Sequence, residues 1–391
     1  MSNMDELLSK LAPQGVEHLE LGSVAAIHRG VRITKNDLIP DGNVPVVSGG
    51  TGFMGFFSES NRSANTITIA QYGTAGYVNW QTREFWANDV CFTVEPMENR
   101  ILAKYLYYFL MSKQSHLYSL SNRNAVPYSI ERSRILSISV PVPPLEIQGK
   151  IVEILDSFQE LEAELEAELE ARRKQYEYYR NQLLSFPEQE GVRWVPMGEV
   201  GTFVRGNALQ KKDFVDSGEP CIHYGQIYTH YKTHASETKS FVTSELFEQL
   251  KKAPPKSLIM TTTSENIEDV CKSLAWLGTE SVAIGGHSCV FVHGLNPMYV
   301  AFFTQTRWFQ DQKNSFVKGT KVKDISISDL SRVLIPVPDP QVQDSIAEIL
   351  SSFEELVEGT KQGIPAEIRA RRKQYEYYRD KLLTFKELKA S

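Results

Sequence analysis

The chain has 391 residues, of which 41% are hydrophobic and 23% charged; the length calls for two domains, and the composition is that of a globular protein. It contains no run of eighteen apolar residues that would cross a membrane, and its polar, acidic start lacks the order of a signal peptide. The net charge of −6 argues against a nucleic-acid partner only until it is mapped along the chain. Residues 15–145 carry 11 Lys/Arg and 10 Asp/Glu, residues 187–335 carry 16 of each, and residues 146–186 carry 5 against 10. The acidity therefore sits on one helix-like segment, and the near-neutral remainder is free to gather a basic face. Cys91, Cys221, Cys271 and Cys289 are scattered and form no CxxC. That pattern suits neither a zinc site nor a disulfide framework, and it fits a cytoplasmic protein.

In chain order, the sequence divides into a short segment (1–14), a first domain (15–142), a first long helix (143–186), a second domain (187–337) and a second long helix (338–391). Both domains hold short β-like runs, such as Val44–Ser48, Thr66–Ala70, Ser257–Met260 and Ser281–Gly285, punctuated by Gly, Asn and Pro. Helices are expected near 101–112 and 298–310, which makes each domain α/β or α+β. In the first long helix Ile147, Ile151, Ile154, Phe158, Leu161 and Leu165 follow the alternating 4,3 spacing of a coiled-coil seam. Pro143-Pro144 opens it, Pro187 closes it, and about 41 residues give about 60 Å of helix. The second helix repeats the seam at Val342, Ile346, Ile349, Phe353 and Leu356. Gly359, Gly363 and Pro365 then predict a break before Ile368, Tyr375, Tyr378, Leu382 and Phe385 resume it.

The chain also repeats itself. Arg172-Arg-Lys-Gln-Tyr-Glu-Tyr-Tyr-Arg180 recurs unchanged as Arg371 to Arg379, and Pro141-Val-Pro leading to Ile154-Leu-Asp-Ser-Phe158 is matched by Pro336-Val-Pro leading to Ile349-Leu-Ser-Ser-Phe353. A fainter match aligns Arg29-Gly30, Lys35 and Asp37 with Arg205-Gly206, Lys211 and Asp213. Between these anchors the halves differ, so one frame holds two different contents. Three Glu-Leu-Glu-Ala tetrads from Glu160 to Ala171 read as a stutter in the seam and as a spacer of adjustable length.

On these repeats, the chain resembles the specificity subunit of a type I restriction–modification enzyme, in the branch with central tetrad repeats. The resemblance implies two globular target-recognition domains separated by two long antiparallel coiled-coil-like helices, related by an internal pseudo-two-fold repeat. It also implies a non-catalytic subunit whose domains each read one half of a bipartite double-stranded DNA target while the helices set the spacing. Two methyltransferase subunits and two restriction (motor/nuclease) subunits would join it. S-adenosylmethionine, ATP and Mg²⁺ would sit on those partners, with no cofactor or metal on this chain.

Enzyme-like signals are weak beside that reading. Gly50-Thr-Gly-Phe-Met-Gly55 fits GxGxxG, but no helix start follows it, as a dinucleotide site requires. Asn296-Pro-Met-Tyr299 approaches an adenine-methyltransferase motif and reads better as a helix N-cap with Pro at N1. Asp216 with Glu237-Thr-Lys239 matches a nuclease pattern of the kind that arises by chance among 48 acidic residues. A free-standing restriction enzyme or methyltransferase with paired recognition domains remains the alternative, and a plain coiled-coil scaffold is a third.

Candidates for DNA contact combine Arg and Lys for phosphates with Asn, Gln and aromatics for bases. In the first domain these are Arg29, Arg32 and Lys35; Gln71 and Tyr72; Arg123 and Asn124. In the second they are Arg205, Lys211 and Lys212; His223, Tyr224, Gln226, Tyr228, His230, Tyr231 and Lys232; Lys318, Lys321 and Lys323. The identical nonapeptides allow two readings, recent duplication or one face shown to two identical partners, and the second is favoured. It assigns Arg172, Arg173, Tyr176 and Tyr179, with Arg371, Arg372, Tyr375 and Tyr378, to partner binding.

Overall fold

The computed structural model describes residues 2–97, 99–124, 126–186 and 191–388, and the chain forms two compact units, residues 1–165 with 368–391 and residues 166–367. The divisions fall inside helices. Each unit thus holds one β-rich domain, the leading part of one long helix and the trailing part of another.

In the first unit, strands Ala25–Arg29, Cys91–Pro96, Thr66–Ala70 and Val78–Gln81 lie side by side in that order, all antiparallel. A second sheet sets Val44–Val47 between Phe53–Phe57 (antiparallel) and Trp86–Ala87 (parallel). Helix Ala103–Ser112 buries six consecutive residues, Tyr105 to Leu110, against this framework. Each large apolar side chain so buried stabilises by about 1.5–3 kcal/mol. The opening segment is a helix, Ser2–Leu11, and its Met4, Leu7, Leu8 and Leu11 join the same core. The chain ends meet: Val16 N–H donates to Lys386 O (2.8 Å) and Leu388 N–H to Val16 O (2.9 Å).

The second unit repeats the scheme. Gly201–Arg205, Ser288–His293, Leu258–Thr261 and Ser273–Trp276 take the places of the first sheet, with His234–Ala235 added at the edge. Glu219–Ile222 sits between Ser240–Val242 and Val282–Ile284, and Lys252–Ala253 extends that sheet. The helix expected near 298–310 is two, Pro297–Phe303 and Arg307–Phe316, because Thr306 caps a fresh start by accepting from Phe309 N–H. Asn296 caps the first, accepting from the N–H groups of Met298 and Tyr299, with Pro at N1.

The join between domain and long helix is built identically twice. Tyr105 Oη donates to Pro141 O (3.0 Å), and Tyr299 Oη donates to Pro336 O (2.9 Å). Gln148 accepts from Leu102 N–H and donates to Pro143 O; Gln343 accepts from Asn296 N–H and donates to Pro338 O. Both glutamines are buried, so the repeated Pro-Val-Pro turns are locked to the domain by the same three bonds.

The first long helix spans Leu145–Leu183 without interruption, and the second is Pro340–Glu358 followed by Ile364–Leu382. The break lies at Gly359–Gly363, as expected; Gly363 has φ +83°, and a Cβ there would lie 2.3 Å from Glu355 O. The seam differs from the 4,3 expectation. Ile147, Ile151 and Leu155 are buried while Ile154 is half-buried, and Ile346 and Leu350 are buried while Val342, Ile349 and Leu356 are exposed. These leading segments pack on their own domain through one stripe of a 3.6-residue helix. Helix-on-helix packing comes later. In the first unit Phe158 lies 5.7 Å from Tyr378 and Glu162 pairs with Arg372; in the second Tyr179 lies 5.7 Å from Phe353 and Arg173 pairs with Glu358. As one residue number rises its partner's falls, so each pairing is antiparallel.

Candidate nucleic-acid interface

Strand ends decide where the loops go. Arg29 ends its strand, and the following Gly30 passes so close to Ala87 and Asn88 that a Cβ would lie 2.2–2.3 Å from their carbonyl oxygens. Gly206 makes the same approach to Gly285 O at 2.2 Å, which explains the paired Arg-Gly. Val31 N–H then donates to Ala87 O, and the buried Asn88 side chain clamps both backbone groups of Ile33. Lys35 and Lys211 each open a single 3₁₀ turn fixed by a capping box, Thr34 with Asp37 and Gln210 with Asp213.

The other loops join this rim through backbone bonds. Gln71 N–H donates to Val90 O and Gln71 O accepts from Ile130 N–H, while Tyr72 bridges to Ser129 and packs its carbonyl on Gly49. In the second domain Thr262 holds the position of Gln71, donating to His287 O and accepting from Ile325 N–H. Gln114 fixes the loop after the central strand by donating to Gly76 O and accepting from Val78 N–H. Lys313 does this in the second domain: wholly buried, its ammonium donates to Ile267 O (2.7 Å) and Val270 O (3.2 Å).

In the first domain these bonds bring Arg29, Arg32, Lys35, Gln71, Tyr72, Arg123 and Asn124 to loops at one end of the sheets. The Arg123 guanidinium lies over Tyr118 and Tyr128, at 5.3 and 5.2 Å, on a cleft of ≈ 700 Å³ that Asn124 and Arg134 also line. In the second domain Arg205 pairs with Asp324 (3.4 Å), Lys211 and Lys212 are exposed, and Lys318 bonds back to Asp324 across a hairpin that carries Lys321 and Lys323.

The stretch 223–232 divides. His223 caps helix Tyr224–Thr229, its Nδ1 accepting from Gly225 N–H, and Gln226 returns the bond to His223 N–H. Burial, Lys211 and His287 lower the His223 pKa. Tyr224 stays half-exposed at the rim, and Tyr228 Oη donates to Thr263 O. His230 is exposed, with its ring edge against Tyr231. Tyr231 is buried and its hydroxyl accepts from Lys239 N–H, whereas Lys232 turns to Glu358 on the long helix. These last two are occupied away from the rim.

The nonapeptides place their tyrosines differently from their arginines. Tyr176 is buried and Tyr375 and Tyr378 are half-buried against Phe158 of the other repeat, whereas Tyr179 is exposed with one side of its ring on Phe353. Arg172 bonds Glu168 and Gln175, Arg371 bonds Gln374, and Arg173 and Arg372 reach across to glutamates. What both copies present outward is Tyr178 and Tyr377, 60% and 62% exposed, flanked by Lys174 with Glu177 and Lys373 with Glu376. The seam spacing marks Tyr176, Tyr179, Tyr375 and Tyr378 as the inward positions and does not single out Tyr178 and Tyr377.

All four cysteines are buried, and burial pushes the thiols of Cys91, Cys221 and Cys289 up to about 12, far from the range of a nucleophile. Among the described residues no three His, Cys, Asp or Glu side chains converge as metal ligands. No described helix is long and apolar enough to cross a membrane. Gly50 and Gly52 lie in a turn leading to strand Phe53–Phe57, not to a helix.

Comparison with known proteins agrees with this layout. The model of the type I restriction modification DNA specificity domain matches twice, at residues 13–171 and 189–370. The chain is 30% identical to the specificity subunit of the type I restriction enzyme EcoR124I/EcoR124II of Escherichia coli, over 98% of both chains. It is 27% identical to a putative type I restriction enzyme specificity subunit of Haemophilus influenzae, covering 98% of this chain and 100% of that one. Among solved structures, the S subunit of a type I restriction–modification system from M. genitalium aligns over 94% of this chain and 96% of its own, with TM-score 0.57 and 16% identity. With its two matched domains and its full-length relatives, this chain belongs to the family of type I restriction–modification specificity subunits.

Proposed function

We propose that each domain reads one half of a bipartite, asymmetric DNA target through its rim of loops, and that the long helices set the gap between the halves. The observation that carries this reading is the repeated frame with unlike loops. The turn after Val44–Val47 returns at Phe53, whereas the chain after Glu219–Ile222 inserts helix Tyr224–Thr229 and strand His234–Ala235 before Ser240. Equivalent positions at the end of one conserved scaffold are where side chains can differ without cost to folding. Two methyltransferase subunits dock on the equivalent outward faces around Tyr178 and Tyr377, since identical surfaces suit identical partners. Two restriction subunits complete the complex in the cytoplasm, and the partners supply S-adenosylmethionine, ATP and Mg²⁺. The test exchanges residues 190–335 for the equivalent domain of a relative with a different target. One half of the methylated motif should change and the other stay; a change in both halves, or in neither, refutes the reading.

A further inference from the structure

Topology gathers a cluster in the second domain from three separate stretches of chain. His287 follows strand Val282–Ile284 in the position that Val90 holds in the first domain, because Cys91 N–H donates to Asn88 O where Ser288 N–H donates to Gly285 O. Its ring lies 4.8 Å from Tyr224, at 56°. Tyr224 in turn lies 4.5 Å from His223, which Lys211 faces. Nδ1 of His287 sits 3.0 Å from the Thr263 hydroxyl. The ring is exposed, and its Nε2 has no partner among the described residues.

An exposed histidine is ordinarily free to rotate. This one is fixed on one face by an aromatic ring and on one nitrogen by a hydroxyl, so a single atom points outward with a set direction. The 3.0 Å contact admits either direction; in the tautomer in which the Thr263 hydroxyl donates to Nδ1, Nε2 carries the proton and is a hydrogen-bond donor. The helix that supplies Tyr224 is an insertion absent from the first domain, so the arrangement serves one domain alone.

We propose that His287 is a specificity-determining residue of the second domain, donating from Nε2 to an acceptor on a base edge in the major groove: a purine N7, guanine O6 or thymine O4. Thr263 and Tyr224 are its positioning residues. The inference rests on the reading that the rim loops contact the target.

The test uses the full chain assembled with its methyltransferase subunits. Wild type, His287→Ala, His287→Gln and Thr263→Val are compared on duplexes that carry each base in turn at every position of the methylated motif. His287→Ala should lower discrimination at one base pair of one half-site by about 5–50-fold and leave the other half-site unchanged. His287→Gln, which keeps a donor, should restore part of it, and Thr263→Val should weaken discrimination at that same pair. Unchanged discrimination at the remaining base pairs of the same half-site reports that the second domain folds. A motif unchanged at every position, or loosened in both halves together, overturns the role of His287. A wild-type complex that recognises no bipartite motif overturns the underlying reading instead.

Discussion

Deleting Glu164–Ala167 removes one tetrad from a helix that runs unbroken from Leu145 to Leu183. Four residues account for about 6 Å of rise and for about 40° of rotation beyond one full turn. DNA advances about 3.4 Å per base pair, so the gap read by the complex should shorten by about one or two base pairs. Stability should change little, because Leu161, Leu165 and Leu169 are all half-buried and the deletion moves Leu169 into the place of Leu165. Glu162 keeps its pairing with Arg372, and Glu168 remains four residues before Arg172. The assay is methyl transfer by the assembled complex to duplexes whose gap is varied one base pair at a time. The optimum should move to a shorter gap with the bases of both half-sites unchanged. An unmoved optimum, or altered bases, would show that the tract is solvated helix and not a ruler.

Other consequences follow from the same geometry. Gln148→Leu strands Leu102 N–H and the Pro143 carbonyl in the core, and Gln343→Leu does the same to Asn296 N–H and the Pro338 carbonyl; each should destabilise its own unit by about 2–4 kcal/mol in urea unfolding. A loss below 1 kcal/mol would mean that these bonds do not lock the join. Tyr178→Ala with Tyr377→Ala should weaken methyltransferase-subunit binding at least tenfold, measured by titration calorimetry, while each single change leaves one site intact. Equal loss from either single variant would contradict two equivalent sites. Burial, with both ring nitrogens lacking a hydrogen-bond partner among the described residues, holds His293 down to about 4. Its stabilising contribution is full above pH 6.5 and is lost as pH falls toward 4, by up to about 3 kcal/mol. The wild-type unfolding midpoint should therefore drop over that range relative to His293→Leu, and parallel pH profiles would exclude the effect.

The helical frame was legible in the sequence because local rules govern it. Proline turns, the Asn296 cap and the Gly359–Gly363 break each act within a few residues. The burial face of the helices was less legible. The 4,3 spacing predicts a seam from Ile147 to Leu165 and from Val342 to Leu356, but these leading parts pack on a domain, whose surface selects Leu155 over Ile154 and Leu350 over Ile349. The candidate site was readable as composition only. Arg29 and Arg205 stood out by repetition, and Tyr231 and Lys232 looked equivalent to Tyr224 until packing separated them. His287 lies 63 positions after Tyr224 and 24 after Thr263, so no spacing could have joined them; strand order did. Lys313 shows the same limit, since nothing local marks a lysine whose three donors end on loop carbonyls.

The most direct test of the account is to map methylated adenines across the genome of cells that carry this chain with its methyltransferase subunit, and of cells that carry either alone. The account predicts a single motif with two fixed half-sites and a non-specific gap of constant length, present only when both proteins are present. Methylation by this chain alone, or a motif without a gap, would contradict it.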